Sequence, residues 1–197
     1  HLHFGEISPL RALTVAEEYA RRRKSIPDKD RQTFRRELIW RDFNHHLLYH
    51  FQKLGTDNFN PRFNKLKWRN VAGDLKKWQT GQTGYPIVDA GMRQLWQMGW
   101  MHNRVRMIVG SFLTKDLLID WREGEAWFWD TLVDGDEANN TSQWQWIAGT
   151  GADAQPFFRI FNPIKQSRDF DPEGDYIRSF VPELSAVSYT HLRAHET

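Results

Sequence analysis

Apolar side chains recur along most of this chain at spacings of three and four, and no stretch alternates as a strand would. The period predicts a helix from Thr14 to about Lys24, with Glu17 three residues after Thr14 as in a capping box. Pro27 and Asp28 break the chain. A second helix is predicted from Thr33 to Phe51, with Leu38, Trp40, Phe43, Leu47, Leu48 and Phe51 among its apolar positions. Residues 55–67 read as loop, and a helix over 70–79 stops at TGQTGYP, where Gly and Pro favour a turn. Pro86 suits the first turn of the next helix, PIVDAGMRQLWQMG, which Gly99 ends. MHNRVRMIVGSFLTKDLLID predicts about five more turns, striped by Met101, Val105, Ile108, Phe112 and Leu113. EGEAWFWDTLVD and DPEGDYIRSFV complete the series, and the fold class is all-α, a multi-helix domain over residues 1–186.

Two stretches stand outside this pattern. In ANNTSQWQWIAGT, residues 138–150, Trp144 and Trp146 would point about 200° apart on a helix, towards different neighbours. The last eleven residues, VSYTHLRAHET, have no periodicity and resemble a translated read-through of a sequencing-library adapter. They are set aside from fold reasoning with their two histidines.

Composition sharpens the picture. The chain has 197 residues, enough for one domain or part of a larger protein, and it begins at His1, as expected of a fragment or a processed chain. It holds 10 Trp and 13 Phe, more than packing alone recruits, because an indole brings an N–H that needs a partner. With no Cys, disulfides and cysteine-ligated metals are excluded. No apolar run approaches the roughly 18 residues of a membrane span, so the expectation is a cytoplasmic protein with no membrane partner. The formal net charge of +2 is unevenly spread: residues 1–69 carry 15 Lys+Arg against 8 Asp+Glu, and the remainder 12 against 17. A basic half suits a polyanion, although the RRRK run at 21–24 reads equally as a solvated helix face.

Four clusters carry candidate chemistry. In DGDEANN, two carboxylates flank a glycine; they could hold a hard cation, accept hydrogen bonds from a ligand, or cap a helix. Acids among many indoles also suit a carbohydrate enzyme, although nothing fixes a pair at the required separation. His46 and His50 stand at i, i+4, a possible metal clip without a third ligand. In MHNRVRM, Asn103, Arg106 and Met107 share one face at i, i+3 and i+4, offering an amide, a guanidinium and a thioether to a flat heteroaromatic ligand. Arg104 points elsewhere and is free to reach a phosphate.

The strings HLHFGEISP, ELIWRDF, TGYPIVDAGMRQLWQMGWMHNRVRMIVGSFLTKDLLIDW and DGDEANNTSQWQWIAGTGADAQPFFRIFNP together resemble the photolyase–cryptochrome family, in order and over nearly all of residues 1–186. The resemblance implies the helical, FAD-binding C-terminal domain. The family's N-terminal α/β domain, with its folate or deazaflavin antenna chromophore, and its FAD-gripping phosphate loop would precede His1. It implies that Asp134, Gly135 and Asp136 contact the flavin and ribityl region, with Arg106 pairing Asp134. Asn140 would face flavin N5, with Asn103 at the ring edge. Phe34 falls where some members place an aromatic FAD contact and others a Trp.

Trp144, Trp121 and Trp68 match the indole chain that carries electrons to photoexcited flavin. Glu37, Trp40, Asn103, Arg104, Met107, Trp146 and Arg159 match a pocket for a flipped-out pyrimidine dimer, and Arg41, Asn44 and Gln166 match further DNA contacts. The (6-4) photolyases carry His at the positions of Asn103 and Met107, and plant-type cryptochromes Asp at that of Asn140. The resemblance therefore implies a class I or class III cyclobutane pyrimidine dimer photolyase: a monomer acting on UV-damaged DNA through reduced FAD, nucleoid-associated when bound. Its rival is a blue-light receptor without repair activity.

Overall fold

Ser8, rather than Thr14, starts the first helix: its hydroxyl accepts from the Arg11 amide, and Pro9 takes the first turn. Thr14 lies inside this helix, α1 (Pro9–Arg22), and donates to the Leu10 carbonyl. The capping-box expectation fails because Ser-Pro is the stronger start signal six residues earlier. Glu17 instead accepts from Arg31 at 2.6 Å, joining α1 to α2 (Asp28–His50). That second helix begins directly after Pro27, with Asp28 and Asp30 in its first turn favouring the positive end of the helix dipole.

The computed structural model describes residues 1–23, 25–69, 71–153 and 159–186, so the adapter-like tail at 187–197 lies outside the described residues. The predicted loop holds one turn of 3₁₀ helix, Pro61–Lys65. Then follow α3 (Ala72–Thr80) and α4 (Pro86–Met98), both ended by left-handed glycines, Gly81 and Gly99. The predicted five-turn helix is shorter. α5 (Asn103–Ser111) passes into a π turn, Phe112–Asp116, and stops where Leu118 adopts a φ of 55°. α6 (Trp121–Thr131) is capped by Asp120 and starts two residues before the Glu123 that EGEAWFWDTLVD suggests. α7 (Glu137–Ala148) makes the tryptophan stretch helical. α8 (Pro163–Phe170), capped by Asn162, has no counterpart among the predicted helices, and α9 (Asp175–Phe180) closes the chain before a 3₁₀ turn at Pro182–Leu184. The apolar stripe of α8 is too short to show as a period. All regular elements among the described residues are helical, so the all-α expectation holds.

α4 lies centrally, packed against α3, α5, α8 and α9, while α7 packs on α2, α5 and α6. Gly91 lets α4 and α5 approach closely, since a Cβ there would stand 2.5 Å from Val105 Cγ1. The buried core runs through Trp78, Met92, Leu95, Ile108, Leu113, Trp121 and Trp144. Trp78 satisfies its indole N–H on the Val109 carbonyl at 3.0 Å, and Trp121 on Asn58 Oδ1 at 2.9 Å. Gln145 is buried and ties the loop after α2 to α7: Nε2 donates to the carbonyls of Leu54 and Asp57, and Oε1 accepts from the Phe59 amide.

Candidate functional site

The amino-terminal turn of α7 builds one end of the site. Asp136 is its cap, accepting from the Asn139 amide at 2.9 Å and from Asn139 Nδ2 at 2.6 Å. His3 Nδ1 and His45 Nε2 each lie 3.4 Å from Asp136 Oδ2. Burial pushes the Asp136 carboxyl up, but the hydrogen bonds from Asn139 and the neighbouring His45 and His3 outweigh it and leave it below the usual carboxylate range. Asn139 Oδ1 in turn accepts from Asn44 Nδ2 at 2.9 Å, which connects α2 to this turn. Asp134 takes a separate partner, Arg106 Nη2 at 3.3 Å, while Arg106 Nε donates to the Met101 carbonyl. The two carboxylates of DGD are therefore split between an ion pair and a helix cap. Among the described residues no cluster of three His, Cys, Asp or Glu side chains could hold a metal, and His46 and His50 pack their rings 4.4 Å apart.

Behind this turn lies a cavity of about 470 Å³. Asp134, Gly135, Asp136 and Arg106 form its polar end; Phe128, Leu132, Trp144 and Ile147 make its walls apolar. Asn140 lines it from a nearly buried position. The Asn140 Nδ2 donates to both the Glu125 carbonyl and Glu125 Oε1, each at 2.9 Å. Glu125 also accepts from Thr141 Oγ1 at 3.4 Å. Burial raises the Glu125 carboxyl above its ordinary value against the opposing hydrogen bonds of Thr141 and Asn140.

A second cavity, of about 410 Å³, adjoins the first. Glu37, Asn103, Met107, Gln143 and Trp146 line both. Trp40 of α2 forms a wall of the second alone, and it is 52% exposed, an apolar ring left facing open space. Trp146 is held from behind by Arg159, whose guanidinium lies 4.2 Å over the indole, donates to the Trp146 carbonyl and pairs with Asp153. Burial lowers the Arg159 pKa, and its φ of 64° puts a non-glycine residue in left-handed backbone to make these contacts. Three successive residues of α7 thus divide three ways: Trp144 into the core, Gln145 to the loop, Trp146 to the seam between cavities.

The remaining candidates spread around this centre. Trp144 packs edge-on against Phe128 at 4.9 Å and Trp78 at 6.1 Å. Trp121 is fully buried at the start of α6, and Trp68 is half-buried against the same core. Arg104 stacks on Phe170 of α8 at 4.4 Å. Arg41 is half-buried beside Asp42, and Asn44 is buried with its amide already bonded to Asn139, though it lines the second cavity. Gln166 keeps its Oε1 buried without a hydrogen-bond partner among the described residues. Phe34 is exposed on α2 and lines neither cavity.

Sequence reasoning missed Glu125, Asn139 and Gln143. Only Glu125 leaves a signal: it follows Gly124, and a glycine inside a helix costs stability unless close packing requires it.

The family model for the FAD binding domain of DNA photolyase matches residues 34–197. A deoxyribodipyrimidine photo-lyase from Agrobacterium fabrum is 56% identical over 192 residues, covering 98% of this chain and 40% of that protein. The crystal structure of a bacterial class III photolyase from Agrobacterium tumefaciens superposes with a TM-score of 0.91 at 55% identity, covering 99% of this chain and 40% of that one. A Synechocystis cryptochrome superposes at 0.85 with 37% identity, covering 95% and 38%. The chain spans about two fifths of the length of these proteins. It belongs to the family of DNA photolyase FAD-binding domains.

Proposed function

We propose that this member of the photolyase family is the cofactor- and DNA-binding part of a light-driven repair enzyme that splits cyclobutane pyrimidine dimers. FAD occupies the larger cavity, and a dimer flipped out of the duplex occupies the smaller. One observation supports this reading most directly. The cavities abut, with Glu37, Asn103, Met107, Gln143 and Trp146 facing both, so two ligands would be separated by no more than a side chain.

The residues of the larger cavity fit a flavin. Its walls are apolar and suit a planar ring, its polar end carries the Arg106–Asp134 pair, and Asn140 offers an amide oxygen that accepts no hydrogen bond among the described residues. When bound in its reduced form, FAD would supply an electron on absorbing blue light. The protein holds and orients. Trp144 lies in the aromatic core beside the cavity and, with Trp121 and Trp68, is the proposed path for reloading the cofactor with electrons. Trp40 and Trp146 receive the apolar faces of the extruded bases, which damage makes easier to unstack, while Glu37 and Asn103 hydrogen-bond their edges. The basic first third of the chain, which includes Arg41, supplies phosphate affinity together with Arg104. We further infer a monomer in the cytoplasm, at the nucleoid when DNA-bound; among the described residues no helix is long and apolar enough to cross a membrane.

The test is illumination of the full-length protein, carrying reduced FAD, with an oligonucleotide holding one thymine dimer. Blue light should restore the intact thymines; dimers that persist overturn the repair assignment. The likeness to a cryptochrome supports a second reading, a light receptor. It would show flavin photoreduction with the dimers untouched.

A further inference from the structure

We propose that Gln143 is a substrate-contacting residue: its amide donates to a base carbonyl of the flipped-out dimer and so helps select damaged over intact DNA. The inference deepens the dimer reading and rests on it. α7 carries four side-chain amides, and three of them are committed within the protein. Asn139 is held by Asp136 and Asn44, and Asn140 by Glu125. Gln145 is held by the main chain at Leu54, Asp57 and Phe59. Gln143 is exposed, and no hydrogen bond reaches its amide among the described residues. It nevertheless stands at the seam and lines both cavities, three residues after Asn140 and three before Trp146, so that i, i+3 neighbours of α7 face the ligand space in turn. An amide left free there can meet a ligand without breaking a bond inside the protein. The chemistry of the seam calls for a donor. The Glu37 carboxylate only accepts, which suits a base N3–H, and the Met107 thioether has no hydrogen to give. Each thymine presents two carbonyl oxygens for its one N3–H, so its edge needs amide N–H groups, and Asn103 and Gln143 supply them. With no partner in the protein to fix it, the Gln143 Nε2 turns to the carbonyl that the dimer presents.

The test is binding in darkness, by the flavin-loaded, full-length protein, of an oligonucleotide with one thymine dimer and of the same oligonucleotide undamaged. Gln143→Met keeps the length and helix propensity of the side chain. It should weaken dimer binding about fivefold, the worth of one neutral hydrogen bond, and leave undamaged DNA bound as before. Gln143→Glu sets an oxygen against the base carbonyl and should narrow the ratio of dimer to undamaged affinity by about tenfold. Taking the ratio cancels the repulsion between the added charge and the phosphates. Because nothing among the described residues bonds the Gln143 amide, neither variant should change the thermal midpoint or the flavin content. Undiminished dimer affinity in Gln143→Met overturns the proposal, and so does a wild-type ratio in Gln143→Glu. A lowered midpoint in both variants overturns it as well, since the side chain would then be structural. Lost flavin in place of lost dimer affinity does the same, since the side chain would then serve the cofactor. A wild type that binds the two oligonucleotides equally defeats the dimer reading itself, and this assignment falls with it.

Discussion

At Gly124 a Cβ would stand 2.2 Å from Trp144 Cη2 and 2.6 Å from Leu113 Cδ2, so the indole can lie on α6 only because this residue has no side chain. Gly124→Ala should therefore cost about 1–3 kcal/mol, as overpacking does. Urea unfolding measures it, and an unshifted midpoint would mean that the ring moves aside freely. Trp144 itself carries a different expectation. In the full-length protein with FAD bound, Trp144→Phe should slow photoreduction of oxidised flavin while sparing repair by flavin already reduced. Rapid-scan absorbance after a flash separates the two, and equal loss of both would contradict the electron-path reading. At this scale the sequence was informative about kinds of residue and poor about orientation. The spacing of Trp144 and Trp146 requires that they diverge, yet which one enters the core depends on Gly124 and Arg159, which lie 20 and 13 residues away from their respective partners.

Among the elements, α7 concentrates the site because its first turn is both a cap and a cavity wall. Asp136→Ala removes the hydrogen bonds to Asn139 and should cost about 1 kcal/mol, the usual worth of such a cap. The Asp136 carboxyl sits below its ordinary value in the folded protein. It binds a proton less readily when folded than when unfolded, so its contribution is complete above the unfolded value of about 4 and fades as pH falls through the folded one. Thermal melts between pH 6 and pH 3 should show a shallower acid loss in Asp136→Asn than in the wild type; parallel curves would contradict this. Helices with a strong end signal, such as α4 between Pro86 and Gly99, were legible in the chain. α1 began earlier than expected because Ser8-Pro9 outcompetes Thr14. α5 ended earlier because a π turn intervenes, and that turn is stabilised partly by Ser111 Oγ, which bonds the main chain at Arg159 and Phe161, 48 and 50 residues on. No local pattern carries such a bond.

For the whole molecule, the basic first third and the two adjoining cavities together suggest a polyanion held over an opening. Affinity of the full-length protein for dimer-containing DNA should fall linearly on a log–log plot against salt, and Arg41→Ala should reduce the slope by about 0.9 if that side chain neutralises one phosphate. Filter binding from 50 to 200 mM salt, roughly the range in which such contacts are felt, checks it; an unchanged slope removes Arg41 from the DNA surface. By itself the sequence determined the fold class, the major helices and the family, since each is written in local periodicity, end signals and long ordered strings of residues. The division of the site was left to tertiary structure. Residues from α2, α5 and α7 meet at the seam between cavities, and Asn140 takes its orientation from Glu125 on α6, 15 residues earlier. An amide reads the same in a sequence whichever way it faces, and only the acceptors packed against it decide what it offers to a ligand.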